Sequence, residues 1–323
     1  MPLSHDLKDK AILVTGAAGC IGAWVVKLLS DMGAKPVVYD LSDNRARLDL
    51  IMEGTEDITW VRGDITDYDQ LCETLKAHDV FAIIHLAALQ VPFCKADPVG
   101  SVKVNVLGTT HIFEAARQLG ISRISYASSI AAPAMGENDW LDTLYGAHKV
   151  CGEQMAKVYW QDWQVPSLCI RPGVIYGPGR DQGMSAAPTI AMLAALFGES
   201  YTVPFAGPVA FVHVEDAALR FIAAVATPME GAHVFDMQGT PMEIADVITL
   251  IKDNVQGAEV GFTGAALPFP HAEDDGALDK HIKVPAYRRF DTGVSDTLSI
   301  FEQARQRGAL TSEQVTDLIG KNS

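Results

Sequence analysis

The chain is short of positive charge. Its 25 lysines and arginines face 40 aspartates and glutamates, a formal net charge of −15 at pH 7. That balance argues against electrostatic binding to nucleic acid or to an anionic membrane surface. Cysteine is scarce as well: Cys20, Cys72, Cys94, Cys151 and Cys169 are an odd number, widely spread, with no Cys-x-x-Cys pair. Reduced thiols in a cytosol fit this better than a disulfide frame or a zinc site, and no metal is expected. No stretch approaches the roughly 18 apolar residues that span a bilayer. Residues 1–10 are polar and lack the apolar core of a signal peptide. Internal repeats and low-complexity tracts are missing too. A soluble cytoplasmic protein is expected.

What the chain has is enough length and apolar content for a substantial core. It has 323 residues, 48% of them hydrophobic and 20% charged, which is globular composition in one large domain or two. Strand and helix signals alternate through the first half. Short apolar runs at 11–14, 36–40, 58–61, 80–86, 123–127 and 165–170 read as strands, and helical spacing fills 23–32, 68–77, 99–119 and 142–160. Such alternation predicts a doubly wound parallel sheet, an α/β Rossmann architecture, with helices on both faces. Beyond Pro172 the pattern loosens into a glycine-rich loop at 173–183, helices near 187–196, 215–226, 242–255, 294–307 and 311–320, and strands near 210–214 and 232–237. The division predicted is a nucleotide-binding domain over 1–172 with a return segment at about 205–237. A smaller substrate-binding α/β domain would be built from 173–204 and 238–323.

The first strand runs into Gly16-Ala17-Ala18-Gly19-Cys20-Ile21-Gly22, three glycines spaced by three before an apolar helix. Glycine lets the backbone approach a pyrophosphate closely, and the N–H groups and dipole of the helix favour its charge. A strand–helix turn with no ligand would also use glycine, so the turn alone is a weak signal. Asp40 ends the second strand, where a carboxylate accepts hydrogen bonds from an adenosine ribose and repels a 2′-phosphate. NAD is therefore expected over NADP. Arg45 and Arg47 stand close by, either as exposed helix charges or as phosphate ligands.

Tyr145 and Lys149 are four apart in a helical segment and share a face. A phenol titrates at about 10 in water, and a neighbouring cation lowers that value, which makes Tyr145 a general-base candidate for chemistry on an alcohol. The tyrosine and lysine content gives roughly 0.3 such pairs by chance, so the pair gains meaning from its place on the helix after the fifth strand. Ser128 and Ser129 close that strand, where hydroxyls face the ligand crevice and can steady a substrate oxygen as it gains charge. A routine serine turn is the plainer reading.

Taken together these residues resemble an extended short-chain dehydrogenase/reductase of the NAD-dependent epimerase/dehydratase family. The resemblance runs through Thr15 to Gly22, Gly63-Asp64-Ile65-Thr66-Asp67, His85-Leu86-Ala87-Ala88, Asn105-Val106-Leu107-Gly108-Thr109, Ser128-Ser129, Tyr145-x-x-x-Lys149, 171–179 and Phe211-Val212-His213-Val214-Glu215-Asp216. It implies that Asp64 and Ile65 touch the adenine, that Leu86, Ala87 and Ala88 line the cofactor, and that Lys149 also binds the nicotinamide ribose. Ser129 matches the family's catalytic serine or threonine. Pro172, Val174 and Tyr176 would lie by the nicotinamide and substrate. Asn105 and His213 have a plainer reading as ties between loops and the sheet. The family commonly forms dimers, which implies a homodimer through the helices at 99–119 and 143–160.

The departures bear on the substrate. Nucleotide-sugar epimerases of the family usually carry an arginine just before the Phe-x-His-Val stretch, and here Gly207-Pro208-Val209-Ala210 has no cation. Gln90 stands where such enzymes have a lysine. Arg180, Arg288 and Arg289 remain as substitutes. Ser129 is followed by Ile130-Ala131 and not by the Asp-Glu pair of sugar dehydratases, which excludes water elimination. Three readings stay open. The first is an NAD-dependent oxidoreductase on a small polyhydroxylated molecule (a sugar, sugar acid or related alcohol), with Gln90, Ser128, Tyr176 and Arg180 near the substrate. The second is a nucleotide-sugar 4-epimerase with tightly bound NAD, and the third a catalytically idle NAD-binding regulator, which the intact Ser129, Tyr145 and Lys149 disfavour.

Overall fold

The computed structural model describes residues 6–133, 141–237, 239–267 and 276–322. Seven parallel strands form the main sheet: β1 Ala11–Thr15, β2 Lys35–Asp40, β3 Thr59–Arg62, β4 Ala82–His85, β5 Ile124–Ala127, β6 Ser167–Pro172 and, returning late in the chain, β10 Ala232–Met237. Their order across the sheet is β10-β6-β5-β4-β1-β2-β3. Between β1 and β4 the order reverses, and this switch point is where open α/β sheets bind ligands. The strands read as continuous apolar runs because both faces are covered. On β1, for instance, Leu13 joins the layer of Val37, Ile83, Phe113 and Ile124, while Ile12 and Val14 on the other face meet Trp24, Val25 and Phe221.

The helices supply those layers. On one side α1 Cys20–Asp31 buries Ala23, Trp24, Val25, Val26 and Leu29. On the other, α2 Tyr68–Ala77 buries Leu71 and Leu75. The predicted helix over 99–119 is a compound one. Pro98–Val102 is α-helical, Lys103–Leu107 is π-helical, and α3 Gly108–Leu119 completes it before Gly120 turns the chain at φ +70°. After β5, α4 Leu144–Trp163 starts with Thr143 as its cap, the hydroxyl accepting from the Gly146 N–H at 3.0 Å.

The remaining elements make a smaller assembly. β7 Val174–Tyr176 pairs parallel with β9 Pro208–His213, which pairs antiparallel with β11 Thr240–Glu243. β8 Tyr201–Val203 pairs with β12 Val260–Phe262. Around them pack α5 Ala187–Phe197, α7 Ile244–Asn254, α8 Phe290–Gln306 and α9 Ser312–Asn322. α5 is apolar almost all round and is accordingly buried from Ala187 to Ala195. Two features differ from the sequence reading. The glycine-rich stretch at 173–183 holds a strand, β7. Of the return segment at about 205–237, β9 lies in the small sheet, whereas α6 Val214–Ala226 packs against α1 and β10 rejoins the main sheet. No helix among the described residues is long and apolar enough to cross a membrane.

At the end of β4 a histidine is sealed in the sheet. His85 is 4% exposed, with Nδ1 2.7 Å from the Thr15 hydroxyl and Nε2 3.1 Å from that of Thr109. Thr15 Oγ1 also accepts from the N–H groups of Leu86 and Ala87, each at 3.2 Å. The triad therefore joins β1, β4 and α3 immediately beneath the ligand-binding edge. Burial, reinforced by the charge of Lys149, holds the imidazole neutral and its pKa down at about 3. An unfolded His takes its proton near 6.5, so between 6.5 and 3 the unfolded chain binds one proton more and stability falls with pH. Denaturant unfolding at pH 7 and pH 4 should therefore show a smaller acid loss in His85→Gln than in the parent, by on the order of 3 kcal/mol. An equal acid loss in both proteins would contradict a neutral, buried His85.

Candidate active site

The carboxyl ends of the central strands open onto a cavity of about 1230 Å³, above the usual range for a drug-sized ligand. The residues expected to touch cofactor or substrate border it, except Tyr176, while Arg45, Asn105, His213, Arg288 and Arg289 lie outside its lining. The floor at one end is the glycine turn. Gly16 has φ +69°, and a Cβ there would lie 2.7 Å from the Ala87 nitrogen. A Cβ on Gly22 would lie 2.3 Å from the Gly16 carbonyl oxygen. Backbone therefore replaces side chain at both positions, and Gly16, Gly19, Cys20, Ile21 and Gly22 present main chain to the cavity. α1 begins there with no side-chain cap and no acidic residue in its first turn, which leaves its N–H groups for a pyrophosphate. The Cys20 thiol is pushed up to about 12, by burial above all, so it is neutral and no nucleophile.

Next to the turn stands Asp40. One carboxylate oxygen accepts from the Ala18 N–H and the other from the Ser42 N–H, both at 2.9 Å. Each oxygen keeps a further acceptor site for a ribose hydroxyl. The neighbouring arginines are committed elsewhere. Arg47 grips Asp181 through Nε at 3.0 Å and Nη2 at 2.7 Å and donates from Nη1 to the Ala18 carbonyl at 2.8 Å. Arg45 donates to the Thr55 carbonyl and lies 4.9 Å over the Trp60 ring. Neither guanidinium is free for a 2′-phosphate. Asp64 folds one oxygen back onto Thr66 and borders the cavity beside Ile65, opposite the wall made by Leu86, Ala87 and Ala88.

At the other end Ser129, Tyr145 and Lys149 come together. Burial pushes the Tyr145 phenol up to about 12, while the Ser129 hydroxyl and the charge of Arg180 pull in the opposite direction and the Cys94 sulfur adds to the rise. Lys149 lies 5.4 Å from the centre of the Tyr145 ring and donates from Nζ to the Ala127 carbonyl at 2.7 Å. Burial lowers its pKa to about 8. Two cations therefore stand near the phenol, Lys149 by the ring as the sequence reading expected and Arg180 from loop 177–183. Pro172 and Val174 border the cavity as well, and Gln90 and Arg180 both reach its side near Gly183.

Two expected substrate contacts are corrected. Ser128 borders the cavity but is 3% exposed, and its hydroxyl is spent on Glu153 at 2.5 Å. Glu153 in turn receives Arg171 in a bidentate pair at 2.7 and 2.6 Å, so Ser128 belongs to a strut between α4 and β6. Tyr176 is 2% exposed and packs against Phe211, His213 and Phe290. Past Val174, β7 has already left the cavity for the small sheet, and the Tyr176 hydroxyl fills the space over Gly293, where a Cβ would come within 1.8 Å.

Several supports hold the cavity wall, Asn105 and His213 among them as the ties that their plainer reading expects. Asn105, in the π-helical turn, accepts from the Leu89 N–H at 2.7 Å and donates to the Leu89 carbonyl at 2.9 Å, pinning the loop before Gln90. His213 caps α6 by accepting from the Glu215 N–H at 3.3 Å. The Trp24 indole donates to the Pro178 carbonyl at 2.9 Å. With Arg47–Asp181 this fastens loop 177–183 down over the glycine turn. Among the described residues no cluster of three His, Cys, Asp or Glu side chains is arranged to hold a metal.

Comparison with known proteins agrees with this geometry. The sequence profile of the NAD dependent epimerase/dehydratase family matches residues 12–237. A UDP-glucose 4-epimerase of Mycolicibacterium smegmatis is 32% identical over 245 residues, 72% of this chain and 77% of that one. An uncharacterized protein of Methanocaldococcus jannaschii is 32% identical over 189 residues, where the match spans 58% of that protein and 53% of this chain. The fold is shared with the L-threonine dehydrogenase of Clostridium difficile at a TM-score of 0.77 and 20% identity, covering 92% of this chain and 98% of the other. The glycine cradle, the uncapped helix and the Asp40 carboxylate fit NAD. The chain belongs to the NAD-dependent epimerase/dehydratase family, with a Rossmann fold and NAD as its cofactor.

Proposed function

We propose that this protein is an NAD-dependent oxidoreductase acting on a small polyhydroxylated molecule: a sugar, a sugar acid or a related alcohol. The observation that carries this reading is the meeting of Ser129, Tyr145 and Lys149 at one end of the cavity, at the far end from Asp40 and the glycine turn. When bound, NAD supplies the acceptor or donor of the hydride. The chain's own residues orient the substrate and move its proton. The Ser129 hydroxyl donates to the reacting oxygen, and the Tyr145 phenolate takes that oxygen's proton. Lys149 is held by Ala127 under the phenol, within reach of ribose hydroxyls. Asp40 holds the adenosine ribose, Asp64 and Ile65 flank the adenine, and the N–H groups of α1 hold the pyrophosphate.

The likeness to a UDP-glucose 4-epimerase favours a second reading, a nucleotide-sugar 4-epimerase using the same residues with NAD retained. Against it, the strand before Phe211 brings no cation to the cavity, and bidentate arginine is the usual grip on phosphate. A copy of this chain is the proposed partner. Val99, Val102 and Leu107 on the compound helix, with Leu144, Val158 and Trp163 on α4, are large apolar side chains left exposed. Pairing of these helices would cover them in a homodimer.

Four outcomes are expected. NAD and a panel of sugars, sugar acids and nucleotide sugars should yield net NADH with a small polyol-type substrate, whereas isomerised nucleotide sugar without NADH would establish the epimerase. Tyr145→Phe should lower kcat/KM by roughly 100- to 10,000-fold with little change in NAD affinity by fluorescence titration, and undiminished turnover would refute the mechanism. The rate of alcohol oxidation should rise with pH as Tyr145 gives up its proton, and that rise should be missing in the variant. In light scattering the parent should be a dimer and Val99→Glu combined with Val158→Glu a monomer; an unchanged mass would place the contact elsewhere.

A further inference from the structure

Loop 177–183 holds two adjacent charges with opposite fates. Asp181 is turned outward to Arg47 and fixes the loop. Arg180 is turned into the cavity, where its Nη2 donates to the Ser185 hydroxyl at 2.9 Å and its Nε is buried with no partner. A Cβ built on Gly183 would lie 3.8 Å from Arg180 Nη2 and 3.9 Å from Gln90 Oε1, so the two polar ends converge on one side of the cavity. Arg180 also stands close enough to Tyr145 for its charge to act on the phenol.

Of the other arginines drawn in from solvent, Arg45 and Arg123 spend their donors on backbone carbonyls and lie over aromatic rings, and the rest have counter-charges. Arg47 has Asp181, Arg171 has Glu153, Arg220 has Asp279, and Arg288 has Glu215, Asp216 and Asp296. Arg180 has none within 4.0 Å among the described residues. A guanidinium withdrawn from water without a counter-charge is costly, and an anion seated on it relieves that cost. The remaining cations bordering the cavity do not join it. Arg47 is neutralised, Lys149 is held on Ala127, and Arg62 lies at the adenosine end beside Asp40 in the strand register. A diphosphate spreads its charge over two centres, whereas one planar fork matches one carboxylate.

We propose that Arg180 is the carboxylate-binding residue of this site and that the substrate is a small hydroxy acid, its carboxylate on Arg180 and its reacting hydroxyl on Tyr145. This rests on the oxidoreductase reading above and narrows it from polyols in general to their acids. Gln90, on the same side of the cavity as Arg180, donates its amide to the same carboxylate or to the next hydroxyl.

Binding tests this without relying on turnover. The protein–NAD complex is titrated calorimetrically with gluconate and threonate, with the uncharged alditols sorbitol and threitol, and with UDP. The acids should bind about 30-fold more tightly than the alditols, the worth of one charge-assisted bidentate contact. Arg180→Gln should abolish that preference while NAD affinity stays within twofold, and Arg180→Lys should keep part of it. In turnover, Arg180→Gln should raise KM for an acid far more than it lowers kcat. Alditols binding as well as acids, or a preference for acids that survives Arg180→Gln, would overturn the assignment. So would Arg180-dependent binding of UDP without binding of the acids, which would make the anion a nucleotide diphosphate. Acids that bind through Arg180 but yield no NADH would leave the carboxylate site standing and refute the oxidoreductase reading. NADH formed from alditols alone would do the reverse.

Discussion

The structure depends on how closely main chain approaches main chain where β1 meets α1. Gly16 lies against Ala87 and Gly22 against Gly16 with no room for a single added carbon. Because those contacts are backbone to backbone, neither partner yields by choosing another rotamer. The approach brings the ends of β1 and β4 together, aims the start of α1 at the crevice between them, and fixes where a pyrophosphate sits. The rest of the cavity is measured from that point, with Asp40 to one side at the end of β2 and Ser129, Tyr145 and Lys149 to the other, after β5 and on α4.

Buried polar groups then hold the framework in register. His85 joins two threonines from different elements, Asn105 clamps both polar groups of Leu89, and Glu153 gathers Arg171 and Ser128. Each occupies a place that an apolar side chain would fill at lower desolvation cost. A hydrogen bond, unlike an apolar contact, has direction. These three stand directly beneath the cavity-lining segments 86–90, 128–131 and 172–174. The side chains above them can then be short and few.

Much of this was legible in the sequence, because the signals were local. Glycine spacing, an acid at the end of β2, and a tyrosine four residues before a lysine are each read within one element or turn, and the alternation of buried strands with helices gave the sheet. What was not legible comes from contacts between distant positions. Arg47 meets Asp181 across 134 residues, and nothing in either neighbourhood announces the pair. Tyr176 was misjudged because its motif lies beside the cavity while its side chain packs against α8, where Gly293 has no pattern to mark it. Strands β8, β11 and β12 have three or four residues each, too few for periodicity to register. Beside Tyr145 the sequence announces Lys149, four residues on, while Arg180 reaches the same phenol from a distant loop that no local pattern marks.

The Arg47–Asp181 pair has a consequence for how specificity changes within such a fold. Loop 177–183 carries a residue facing the reacting end and, one position later, the latch onto the cofactor turn. A graft of this loop from a relative therefore transplants a cavity-lining charge and a fastening together. Unless the residue at position 47 is matched, the graft gains its new preference on an untethered loop. A cavity-facing side chain and the fastening of the glycine turn thus share one short loop, and a change in either strains the other.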